Sequence, residues 1–169
     1  MEILIKRAKK YDKDAFVTLM QEHEKSMYKV AKAILKNDAD VADAMQEAMM
    51  TCWEKIKTLK KPEYFKTWLI RILIRKCNDI YRQKKRFLPE MSCSEQLAVE
   101  EGFEAVEWKS LLEFLEEKYR TVIILYYVEG FKVREIADIL EVSESTVKAR
   151  MVTAREKIGE IITFEGSVC

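Results

Sequence analysis

Apolar positions recur at helical spacing along most of the chain. Residues 14–36 carry Phe16, Leu19, Met20, Met27, Val30, Ala31, Ile34 and Leu35 close to a 3.6-residue repeat, which predicts a helix with a break near His23 left open. Asn37-Asp38 stops it, and Asp38 or Asp40 can cap the next helix. That one runs to about Lys57 with Val41, Ala44, Met45, Ala48, Cys52, Trp53 and Ile56 inward. Residues 57–66 form a loop whose Pro62 pushes Lys61 out of helical geometry and can open a helix over 63–86. Phe65, Leu69, Ile72, Leu73 and Ile80 line its inner side. Residues 108–129 return to helix through Leu111, Leu112, Leu115, Val122, Ile123, Leu125, Tyr126 and Val128, and Gly130 ends it at a left-handed cap.

Residues 132–158 have the spacing of two short helices meeting at a sharp turn. Val133, Ile136, Ala137 and Leu140 share one face, and Val147, Met151, Ala154, Ile158 and Ile161 share a face of the second helix. Ser143 suits an N-cap and Val142 fills the angle, which together predict a helix-turn-helix. The second helix turns Ser145, Thr146, Lys148, Ala149, Val152 and Thr153 outward, flanked by Arg150 and Arg155. Cations for phosphates and guanine edges, hydroxyls for adaptable hydrogen bonds and small apolar groups for thymine methyls suit a major groove. The plainer alternative is a solvated helical hairpin, but Val152 on an otherwise wet face wants a partner.

Composition narrows the class. With four Gly and two Pro, 49% hydrophobic and 35% charged residues among 169, the chain fits amphipathic helices in one domain or two small ones, and a sheet-rich fold is disfavoured. A net charge of +1 hides strong segregation. Between 66 and 86 stand Lys66, Arg71, Arg75, Lys76, Arg82, Lys84, Lys85 and Arg86 against Asp79 alone, whereas 90–107 holds six Glu and no Lys or Arg. Such blocks offer a local phosphate-binding surface on a neutral molecule. Cys52, Cys77, Cys93 and Cys169 show no CxxC spacing, which predicts a reduced, cytoplasmic protein. There is no signal-peptide core at the start and no apolar run of the roughly 20 residues a bilayer requires, so no direct membrane insertion is expected.

Two surfaces carry candidate chemistry beyond the helix-turn-helix. Asp40, Asp43, Gln46 and Glu47 fall on one ridge of the 40–57 helix. The helix dipole favours acids there by about 0.3–1 kcal/mol each, but glutamine gains nothing from it, so the ridge hints at an interface for an arginine-rich protein. Tyr64, Phe65 and Trp68 cluster beside the loop lysines and Lys66, with Arg71 and Arg75 following. Rings interleaved with cations suit single-stranded DNA; the alternative is that Phe65 and Trp68 are core. The Met residues read as core filler, and His23, the only histidine, reads as an ordinary surface residue without a role.

The stretches NDADVADAMQEAMMTCWEKI and EYFKTWLIRILIRKCNDIYRQKKR resemble regions 2.2 to 2.4 of bacterial sigma factors of the extracytoplasmic-function group. The helix-turn-helix resembles region 4.2 of the same family, in the same order and at the same separation, and KTWLIRILIRKC is most similar to the SigV-like members. The resemblance implies an all-α chain of two small helical domains, 1–86 and 108–169, joined by a flexible acidic linker over 87–107. It implies that Asp40, Asp43, Gln46 and Glu47 dock the clamp helices of the RNA polymerase largest subunit. Tyr64, Phe65, Lys66, Trp68, Arg71 and Arg75 then fall where the family opens the promoter −10 element. Ser145, Thr146, Lys148, Ala149, Arg150, Val152, Thr153 and Arg155 of the reading helix fall where it reads the −35 duplex, and the surface around 108–129 where it meets the flap of the second-largest subunit. Arg75 stands where the family often has Asn, and Thr153 where a basic residue is common, so base preference is not carried over.

The leading expectation is therefore a promoter-recognition subunit of RNA polymerase, no enzyme and without cofactor or metal. A membrane-bound anti-sigma factor is the regulator the resemblance implies. A stand-alone helix-turn-helix regulator explains 132–158 equally well but leaves the acidic ridge and the aromatic-basic helix without a use. A helical metal enzyme on Asp40, Asp43 and Glu47 fails because no second carboxylate cluster or Glu-x-x-His faces the first.

Overall fold

A computed structural model describes residues 1–87 and 112–166. The predicted linker beyond Phe87, the first residues of the predicted 108–129 helix and the inward side chain of Ile161 lie outside the described residues. The chain divides into two compact units, Met1–Met91 and Ser92–Cys169. Among the described residues all regular structure is helical.

In the first unit the helices are α1 (Glu2–Ala8), α2 (Lys13–Ile34), α3 (Asp38–Lys55) and α4 (Phe65–Phe87). Helices α2, α3 and α4 pack on one another, and α1 packs on α2. Leu19, Met27 and Val30 of α2, Ala44, Ala48 and Cys52 of α3, and Leu69, Leu73 and Cys77 of α4 are fully buried. Burial pushes the Cys52 thiol up to about 12, so it behaves as a small hydrophobe, as its place in the apolar repeat predicts. Helix α1 has no counterpart in the predicted elements. It is too short for a periodic signal, but Ile5 and Ala8 are completely covered and Lys6 pairs with Glu2 one turn away at 2.7 Å.

Three local expectations are corrected. Helix α2 runs unbroken through His23, which is buried: Nδ1 donates to the Leu19 carbonyl at 2.9 Å and the ring meets Phe65 edge to face at 5.3 Å. Its position one turn from Leu19 and Met27 puts it on the core face, where this backbone bond satisfies it. The cap of α3 is Asn37, whose Oδ1 accepts from Ala39 N–H at 2.8 Å and Asp40 N–H at 3.4 Å. Asp38 is instead held by Lys32 at 2.6 Å. Finally, Pro62 opens a 3₁₀ turn, Pro62–Tyr64, and the α-helix follows from Phe65.

The second unit contains α5 (Glu117–Ile123), a π-type turn (Ile124–Val128), α6 (Val133–Leu140) and α7 (Glu144–Gly166). The predicted 108–129 helix is interrupted at Phe114–Glu116. No Gly or Pro stands there to announce it. The buried Arg120 guanidinium donates to the Leu115 carbonyl at 3.2 Å and the Leu112 carbonyl at 3.5 Å, so side-chain donors serve carbonyls that a continued helix would have paired. Leu115, Ile123, Ala154 and Ile158 form the local core. Gly130, at φ +73°, turns the chain out of the π segment as predicted.

Candidate protein and nucleic-acid interfaces

The helix-turn-helix is α6, a tight turn and α7. Lys132 N–H donates to the Glu135 carboxylate at 2.8 Å at the start of α6. At its end Glu141 adopts the left-handed conformation, φ 57°, and Val142 N–H reaches the Ala137 carbonyl at 3.1 Å. Ser143 then caps α7: its Oγ accepts from Thr146 N–H at 3.1 Å and lies 2.8 Å from the hydroxyls of both Ser145 and Thr146. Val147, Met151, Ala154 and Ile158 are buried, which fixes the rotation of the helix. Ser145, Lys148, Ala149, Val152 and Arg155 face solvent, while Thr146, Arg150 and Thr153 sit half-buried at the margins. Half of the Val152 surface is exposed. Arg155 does not hang free, since its Nε donates to the Tyr127 hydroxyl at 2.9 Å.

On α3 the four predicted ridge residues share a face but differ in availability. Lys84 reaches across from α4 to Asp40 at 2.6 Å and leaves that carboxylate 14% exposed. Lys76 lies 3.3 Å from Glu47, which remains 57% exposed. Asp43 and Gln46 are open to solvent. The ridge borders an open groove of about 460 Å³ between α3 and α4, lined on its apolar side by Met50 and Ile80. Lys76 and Lys84, expected in the phosphate-binding array, turn instead to the acids of α3. The signal was present: Lys76, Ile80 and Lys84 are spaced four apart and form one stripe of α4.

At the start of α4 the aromatic residues separate. Tyr64 is 49% exposed, with the Lys61 ammonium 5.8 Å from its ring centre. Trp68 is half-buried. Phe65 is 2% exposed, wedged between His23 and Trp68, so its ring is part of the core and is not offered to a base. The helical repeat already turned it inward. Lys66 is half-buried and Arg75 exposed. Arg71 is half-buried, and its Nε is enclosed without a hydrogen-bond partner. Among the described residues no group of His, Cys, Asp and Glu could hold a metal ion, and no helix is long and apolar enough to cross a membrane.

Residues 19–87 match the sigma-70 region 2 family and residues 106–158 match sigma-70, region 4. The chain is 30% identical over 151 residues to the RNA polymerase sigma factor SigV of Bacillus subtilis, covering 88% of this chain and 91% of that protein. It is 29% identical over 175 residues to the ECF sigma factor SigW of the same organism, with 91% and 92% covered. The ECF sigma-E factor of Escherichia coli is 28% identical over 178 residues, with 93% and 91% covered. Among solved structures, CnrH in complex with the cytosolic domain of CnrY superposes with a TM-score of 0.71 at 25% identity over 96% of both chains. The sigma factor RpoE of Bartonella quintana, solved with the anti-sigma factor NepR, shares the fold at a TM-score of 0.74, 21% identity and 88% and 96% coverage. The chain therefore belongs to the ECF group of the sigma-70 family, transcription initiation factors that bind core RNA polymerase and direct it to promoters.

Proposed function

We propose that the work is divided between the two halves, residues 1–86 docking polymerase and opening the −10 element and residues 108–169 gripping the −35 duplex, with 87–107 as an acidic tether between them. The observation that carries this reading is the exposed row Ser145, Lys148, Ala149, Val152 and Arg155 on a helix whose opposite face is buried. A helix held so rigidly can present a fixed pattern to a major groove. Lys148 and Arg155, with Arg150 at the margin, supply cations. Ala149 and Val152 offer apolar contact to thymine methyls, while Ser145, Thr146 and Thr153 contribute hydroxyls.

In the first half, Asp43, Gln46 and Glu47 meet the clamp helices of the polymerase largest subunit, with Asp40 held behind them. Strand capture falls to Tyr64, Lys66, Trp68, Arg71 and Arg75, the ring of Phe65 serving as support from inside. The surface around 112–129 meets the flap of the second-largest subunit. A membrane-bound anti-sigma factor covers the docking surfaces in the resting cell, and the chain acts in the cytoplasm. That CnrH is seen with the cytosolic domain of CnrY, and RpoE with the anti-sigma factor NepR, supports an anti-sigma partner.

The test is reconstitution. Core polymerase with this chain is expected to select a common pair of upstream and −10 sequences from fragmented genomic DNA, and Lys148→Gln to weaken the upstream preference alone. Transcription no more selective than that of core polymerase by itself would overturn the proposal.

A further inference from the structure

The reading helix is braced by a residue outside it. Tyr127 lies in the π-type turn, where Glu129 N–H bonds to the Ile124 carbonyl at 3.0 Å and Phe131 N–H to that of Leu125 at 3.0 Å. The wider winding keeps Leu125 fully buried and leaves Tyr127 57% exposed, its ring stacked edge to face on Tyr126 at 4.9 Å. π-type turns of this kind concentrate at functional positions. From there the Tyr127 hydroxyl accepts a hydrogen bond from Arg155 Nε at 2.9 Å, and the guanidinium carbon sits 5.7 Å from the centre of the tyrosine ring.

Two consequences follow from the chemistry of that pair. Engaging Nε leaves the paired Nη groups of Arg155 as the free prong of the guanidinium, the end suited to two oxygens of one phosphate. A phenol that accepts a hydrogen bond still has its own O–H to donate. The pair thus presents one cation and one neutral donor side by side, on the exposed row of α7 and at its midpoint, three turns beyond its N-terminus. There, helices lying in a groove meet the backbone more than the base edges.

We propose that Tyr127 and Arg155 form a composite clamp for a DNA backbone phosphate, in which Tyr127 both aims Arg155 and donates to the phosphate itself. The proposal rests on the reading of α7 as the −35 helix and adds a residue from outside the helix-turn-helix. Because the contact is to phosphate, it contributes affinity without base preference.

The experiment uses the full chain bound to core polymerase and, as probe, a duplex that the wild-type complex selects from a randomised pool. Binding is measured across a potassium chloride series. Tyr127→Phe, which keeps the ring and its stacking on Tyr126, is expected to weaken binding about 5- to 10-fold at every duplex sequence tried. Arg155→Gln should weaken it further and lower the slope of log affinity against log salt by about 0.9. Tyr127→Phe added to Arg155→Gln should cost less than it does alone, since half of its effect is already lost. Unchanged affinity in Tyr127→Phe, or full additivity of the two substitutions, overturns the clamp. A change in base preference in Tyr127→Phe also overturns it, because a phosphate contact carries none. If the wild-type complex selects no duplex sequence at all, the −35 reading fails and the clamp with it, whereas selection with an indifferent Tyr127→Phe removes the clamp alone.

Discussion

Arg120 shows how a single buried side chain can redirect a chain that apolar spacing alone would carry straight on. Its guanidinium serves the Leu112 and Leu115 carbonyls, and Glu116, the residue that opens α5, is bonded by Lys157 at 3.0 Å and paired with Lys118 at 3.1 Å. Arg120→Ala is expected to destabilise the second unit by about 2–4 kcal/mol, read by thermal unfolding, since it takes the guanidinium from the Leu115 carbonyl, weakens the service of Leu112 and leaves a gap in the core. In the first unit Asp12 caps α2. The bond it accepts from Ala15 N–H, then that from Arg7, hold its carboxyl below the ordinary 3.8. A depressed carboxyl stabilises the fold at pH values above 3.8, and that contribution is lost as pH falls through the folded value. Asp12→Asn keeps the cap but removes the charge, so a flatter stability curve in acid, followed by circular dichroism, is the expected result. Neither residue announces itself in the sequence, because one interrupts an unbroken apolar repeat and the other sits in a polar run with several equivalent candidates.

The elements themselves were legible wherever an apolar face repeated for several turns. Helices α2, α3, α4, α6 and α7 all follow from that repeat, as does the sharp turn before α7. Ser143 was legible as its cap, and Ser143→Ala is expected to cost about 1 kcal/mol by chemical denaturation while leaving the first unit unaffected. The repeat turns Phe65 inward as well, but its residue type also suits an aromatic strand-binding cluster, and only its burial decides between the two uses. At the start of α4 the buried ring is Phe65 and the exposed one Tyr64, one residue apart. Phe65→Ala should therefore cost about 3–5 kcal/mol of stability. Tyr64→Ala should leave stability within about 0.5 kcal/mol and slow promoter opening instead, measured by permanganate reactivity of unpaired thymines. Equal loss of stability in both would show that the loop packs differently from this description.

At the scale of the molecule, two units with separate cores are expected to give two calorimetric transitions, with Arg120→Ala moving one of them. In the charge map residue type says little, since a lysine on a basic helix looks the same whether it faces water or an acid on the next helix; only the four-residue spacing of Lys76, Ile80 and Lys84 marks the stripe that turns to α3. Asp43→Lys combined with Gln46→Lys should abolish co-purification with core polymerase at moderate salt, whereas Asp40→Asn should have a smaller effect because Lys84 already occupies that carboxylate. The same two contacts between helices bear on how the partners of the chain influence one another. If polymerase docks on the ridge as proposed, a cation that claims Glu47 sends Lys76 back to the outer strip of α4, so at that contact one ion pair replaces another. Assembly with the enzyme should then respond only mildly to ionic strength, and the liberated ammonium should add its attraction to the nearby nucleic acid strand. Removing both ammonium groups, in Lys76→Gln with Lys84→Gln, should reverse the pattern: attachment to polymerase becomes steeply salt-sensitive, while hold on the opened strand declines.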